Sequence, residues 1–187
     1  PAYRRTEPIE VSFAHLAGRS GLRSRRGDVA GGIADLSLAV RLGEANAIPT
    51  ENLAWARWQL GVEHLARAEL EEAEKAFQKA LATLPGFHRA TASLAHLRFA
   101  RGEVSRAVDL YRKALAAVPL PEYAVALGDV LASQGRHDEA RKQWALVEHI
   151  ARLGGPSLYA RELANFYLDH DLKHLEALAL AQKGLEG

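Results

Sequence analysis

A period of about 34 residues runs through the chain and leaves few folds open to it. Leu60-Gly61, Ala73, Phe77, Ala80-Leu81 and Pro85 are matched, 34 positions on, by Leu94-Ala95, Ala107, Tyr111, Ala114-Leu115 and Pro119. A further shift of 33 lands on Leu127-Gly128, Ala140, Trp144 and Val147. A looser copy follows with Leu163-Ala164, Tyr167, Ala177 and Leu185. A degenerate one precedes, with Gly27-Asp28-Val29, Ile33, Leu36 and Ala39-Val40. Within each unit apolar residues recur at helical spacing, so each reads as a pair of amphipathic helices.

The residue types at these places have packing reasons. Gly61, Ala95 and Gly128 are small enough for a neighbouring helix to approach closely, and Ala73, Ala107 and Ala140 match them from the facing helix. Phe77, Tyr111 and Trp144 are expected to fill the space between successive hairpins. Gly27, Gly102 and Gly135 fall where the first helix of a pair ends, a place that favours a left-handed residue. Pro85 and Pro119 follow the second helix, where a missing N–H helps to stop it. Helices are expected over about 12–26, 29–42, 51–67, 70–83, 87–101, 104–117, 121–134, 137–152, 157–169 and 173–185. Gly43 to Thr50 lengthens the first junction, and Gly154-Gly155-Pro156-Ser157 breaks the chain before the last pair, with Ser157 as its N-cap.

This pattern resembles the tetratricopeptide repeat of bacterial-type scaffolds, a helix-turn-helix unit of 34 residues, over residues 13–187. The resemblance implies an all-α, right-handed superhelical solenoid of about five hairpins, over about 13–42, 54–87, 88–120, 121–153 and 157–187, preceded by an extended arm over 1–12. The departures are specific. Ala68 replaces the usual Gly between helices, Arg57 stands where a large aromatic is common, Arg152 takes the terminal Pro's place, and the last unit has an extra residue near Asp171-Leu172.

Composition removes several function classes. In 187 residues, 48% are hydrophobic and 25% charged, the range of a folded globular chain, and no apolar run approaches a membrane span of ~18 residues. The absence of Cys excludes disulfides, thiolate metal sites and a cysteine nucleophile. A net charge of +1 gives no general electrostatic case for nucleic acid, and the compartment stays open. A chain that opens on Pro1 and has no Met is expected to lack its natural start, and the run Lys183 to Gly187 is expected to leave the last helix uncovered.

Nothing in the sequence points to catalysis or a cofactor. There is no Gly-rich nucleotide cradle and no G-x-S-x-G elbow. Glu69, Glu71, Glu72 and Glu74 suit a helix opening and its solvated face. His170 and His174 have a spacing that grips zinc on a continuous helix, but the repeat register puts a turn between them. His64 is expected as a hydrogen-bonded packing residue. Arg19, Arg23, Arg25 and Arg26 form a basic cluster that reads either as a solvated helix end or as an anion or nucleic-acid contact.

What remains is a binding surface. The resemblance implies that the first helix of each pair lines a concave groove that receives an extended peptide or a partner helix. Its places hold Trp55, Trp58, Gln59, Val62 and Leu65, then Arg89, Ala92, Ser93, His96 and Phe99, with Glu122, Asp129 and Asp169 as an acidic far end. The Lys, Asn and Arg that chaperone-binding members use to clamp a terminal carboxylate are absent from these places. The expected site is therefore an aromatic and apolar groove of Trp55, Trp58, Val62, Leu65, Arg89, His96 and Phe99 for an apolar or amphipathic segment of a protein partner. Either tryptophan could instead pack between repeats, and the N-terminal arm could occupy the groove. Self-assembly through the ends of the stack is the alternative function.

Overall fold

The computed structural model describes residues 12–154 and 158–185, with side chains through 182. The N-terminal arm and the Ser157 cap lie outside these residues. The described chain is all helix and divides into two compact units, one ending at Ala90 and the other beginning at Thr91.

The first unit holds α1 (Phe13–Arg25), α2 (Val29–Ala45), α3 (Thr50–Ala66), α4 (Leu70–Thr83) and the opening turn of α5 (His88–Ala100). Antiparallel pairs α1–α2 and α3–α4 pack closely, and α2 packs on α3. The core of this unit is Leu16, Leu36, Ala39, Ala73, Phe77 and Ala80, all fully buried. The second unit holds the rest of α5, then α6 (Val104–Ala117), α7 (Pro121–Ser133), α8 (His137–Gly154), α9 (Ala160–Asp169) and α10 (His174–Leu185). Its core has two parts, one around Tyr111, Leu127 and Leu131 and one around Val147, Phe166 and Tyr167.

One turn closes all five hairpins. The N–H of Asp28, Glu69, Glu103, Arg136 and Leu172 donates to the carbonyl five residues back, at 2.9, 3.0, 2.8, 3.1 and 2.7 Å. The residue before each donor is left-handed: Gly27 (φ 87°), Ala68 (57°), Gly102 (76°), Gly135 (70°) and Asp171 (56°). This is the Schellman closure, which satisfies carbonyls that the helix end leaves open. At the other end of the hairpins, Leu84 and Val118 turn extended and Pro85 and Pro119 follow.

Three expectations need correction. Gly43 and Thr50 do not bound a loop: α2 runs on to Ala45 and α3 starts at Thr50. Gly43 is buried inside α2 because the Ile48 side chain folds back onto it, 2.8 Å from where a β-carbon would sit. Gly154 closes α8, and α9 begins at Ala160 and not at 157. Phe77 is not confined to the space between hairpins; it packs inside its own, against Gly61. Arg57, at the place of the common aromatic, bonds to Glu44 of α2 and Thr83 of α4, so that three helices are joined by one guanidinium.

Candidate functional site

In the first unit, Trp55, Trp58, Val62 and Leu65 follow one another at spacings of three and four along α3 and share one face of it. Trp58 is half-buried and engaged at both sides: Phe87 meets it edge-on at 6.3 Å and 83°, and the Arg89 guanidinium sits 5.3 Å from its ring centre. It is neither core nor free surface. Val62 and Leu65 are half-buried as well. Trp55 is different. Its side chain stays 37% exposed and borders a cavity of about 460 Å³, shared with Glu51, Asn52, Pro85, Phe87 and His88.

The turn from α4 to α5 makes the far wall of this cavity. Leu84 leaves α4 in extended backbone, and Gly86 turns the chain at φ 87°, a conformation that strains any residue with a side chain. That turn brings Phe87 to Trp58 and His88 to the cavity. Burial lowers the pKa of His88, and the charge of Arg89 lowers it further, so the imidazole is held neutral. Phe87 and His88 were missed in the sequence. Pro85 reads in the sequence as a helix stop, and a stop does not tell which way the following side chains point.

In the second unit, Phe99 is 36% exposed and His96 is exposed one turn before it on α5. One member of the acidic far end is already engaged. Asp129 already accepts a hydrogen bond from Trp144 Nε1 at 3.0 Å and lies 2.8 Å from His170 Nε2. Glu122 and Asp169 are exposed. His170 caps α9 and packs its ring at a tilt against Phe166, whereas His174 opens α10 beside Asp171, so a turn does separate them. A second cavity, of about 320 Å³, lies among α8, α9 and α10, and part of its charge is paired within the lining. Lys173 donates to Glu148 at 2.7 Å, and Tyr167 donates to the same carboxylate at 3.1 Å.

The basic cluster near the end of α1 is partly structural. Arg19 forms a two-pronged bond to Asp35, at 2.7 and 2.6 Å, and Arg23 reaches the same carboxylate at 3.4 Å and the Gly31 carbonyl at 3.2 Å. Asp35 is only 4% exposed, so these arginines neutralise a buried charge. Arg25 and Arg26 remain exposed. His64 Nδ1 lies 2.6 Å from Glu69, which also accepts from Arg67 Nε at 2.6 Å, so this histidine pins its own hairpin turn.

Repeated hairpins with exposed aromatic side chains define a helical-repeat protein of the interaction class. The family model described as tetratricopeptide repeat matches residues 58–120 and 93–151, half of the chain between them. The chain belongs to the tetratricopeptide repeat family. A search of curated proteins gives no match. Among solved structures, the chain is similar to MamA at 22% identity and TM-score 0.62, over 75% of this chain and 79% of that one. It is similar to BtubC from P. vanneervenii at 19% and 0.67, over 81% and 68%. It is also similar to the Rap conjugation gene regulator of plasmid pLS20, solved with the Phr* peptide, at 14% and 0.72, over 96% of this chain and 53% of that one. At these identities the likeness speaks for the fold. The family and fold make the protein an interaction scaffold of a generally non-enzymatic class. Among the described residues no helix is long and apolar enough to cross a membrane.

Proposed function

We propose that the α3 face of the first unit, with Trp55, Trp58, Val62, Leu65 and Arg89, receives an apolar or amphipathic segment of a protein partner. On the second unit, His96 and Phe99 are exposed side chains offered to a partner by that unit. The observation that carries this reading is Trp55, a large indole left exposed on the edge of a cavity. Aromatic anchors of this kind supply most of the energy of interfaces. That a structurally similar regulator was solved with a peptide fits the reading. The test is capture from lysate of the source cells by the wild-type chain beside a Trp55→Ala, Phe99→Ala variant of equal helicity. A protein retained by the first and lost by the second supports the site. Equal retention by both places binding elsewhere.

A second reading has its own observation. On α10, Leu175 is 85% exposed and Leu178 57%, and their spacing sets them on one face. That face supports self-association. Light scattering across a concentration series tests it: a mass that grows with concentration, and stays monomeric in a Leu175→Glu, Leu178→Glu variant, supports it. A monomer throughout removes it.

A further inference from the structure

We infer that the cavity bordered by Trp55 receives a cationic side chain, a lysine or arginine presented by the partner segment. This rests on the groove reading above and specifies what the partner must carry. Glu51 and Trp55 stand one helical turn apart on α3, so a carboxylate and an exposed indole border the same opening. Glu51 is exposed in the first turn of α3 and has no ion pair among the described residues. Phe87 adds a second aromatic ring, and Leu84 and Pro85 add apolar wall. An ammonium or guanidinium is attracted to the face of an indole, and its aliphatic stem is at home against apolar wall.

The charge on the lining is one-sided. His88, the other titratable group there, is held neutral by burial, and the Arg89 guanidinium is engaged over Trp58. Glu51 therefore supplies the only formal charge among the lining residues. An acidic side chain would be repelled by it. A purely apolar one would bury the carboxylate and the Asn52 amide without partners, which is unfavourable. A cation satisfies both the carboxylate and the ring faces. The cavity, at about 460 Å³, has room for a long side chain together with part of its backbone.

The test uses the whole chain, labelled with nitrogen-15, and three small probes: Nα-acetyl-lysine amide, Nα-acetyl-arginine amide and Nα-acetyl-norleucine amide. The last has the aliphatic stem without the charge. The Trp55 indole N–H resonance, assigned with a Trp55→Phe variant, reports binding. The expected result is a saturable shift with the two cations and binding of norleucine roughly threefold to fivefold weaker. Glu51→Gln should shrink that difference, leaving the part the rings supply, with the circular dichroism unchanged. Norleucine binding as well as lysine overturns the inference and leaves the groove reading standing. No shift of Trp55 with any probe also overturns it, and the capture experiment then judges the groove separately.

Discussion

The Phe77 ring lies against the bare α-carbon of Gly61. A β-carbon at Gly61 would stand 2.4 Å from Cε1 and 2.6 Å from Cδ1 of that ring, well inside contact distance. The second unit repeats the device with Gly128 and Trp144, where the nearest approach would be 2.3 Å, to Nε1. In each case the first helix of a hairpin gives up a side chain so that the second can insert an aromatic one. Close-packed interiors have no slack to absorb even one methyl at such a point.

Gly61→Ala should therefore destabilise the protein, by about 1–3 kcal/mol, because a fully buried ring must move. Thermal or urea unfolding measures it. Adding Phe77→Leu should recover part of the loss, since the smaller side chain makes room. An unchanged midpoint for Gly61→Ala would show that the hairpin does not depend on this contact.

Ala68 holds a left-handed conformation, φ 57°, at the turn where three other hairpins use glycine. The β-carbon makes this conformation costly for an L-residue. Ala68→Gly should stabilise the protein by about 0.5–1 kcal/mol, after the greater freedom of glycine in the unfolded chain is subtracted. Gly102→Ala should move stability in the opposite direction. Urea titrations of the two variants give the signs directly.

Acid should reach the first unit through Asp35. The hydrogen bonds from Arg19 hold this carboxyl below the usual carboxylate range, against the opposing effect of burial. A folded value below the unfolded one means that the stabilisation is present above the ordinary value near ~4 and is lost as pH falls from there through the depressed folded value. Asp35→Asn should cost about 1–2 kcal/mol at neutral pH and flatten this acid limb. Unfolding midpoints measured from neutral to acid pH, wild type beside variant, check both expectations.

Base should act on the second unit through Tyr111. Burial pushes its phenol up to about 12, and the negative charge of Asp129 adds to the shift. Here the folded value is raised, so the contribution is complete below the ordinary tyrosine value near ~10 and disappears as pH rises from there toward about 12. Burial also raises Tyr167, so ultraviolet titration of the 5 tyrosines should show late ionisation by more than one ring, and Tyr111→Phe should remove the step near about 12. A step near about 12 that persists in Tyr111→Phe would assign it to another ring.

The acidic far end and the arginine cluster show where reading the sequence reached its limit. Both were legible as charge, and neither as what the charge does. Asp129 is occupied by Trp144 and His170, the latter 41 positions along the chain, and Arg19 closes on Asp35 from 16 positions away. Trp58 likewise lies between core and surface because Phe87 and Arg89, from beyond the next helix, come back to meet it.

Sequence alone determined the period, the all-helical class, the pairing of helices and nearly every helix end. These features depend on hydrogen bonds and caps between residues at most a few positions apart, so the residue types at those positions suffice. Tertiary structure decided which charges are spent, which tryptophan stays exposed and where a cavity opens beside it. Those outcomes depend on contacts closed across tens of residues, and a side chain's type does not state which distant group will arrive to meet it.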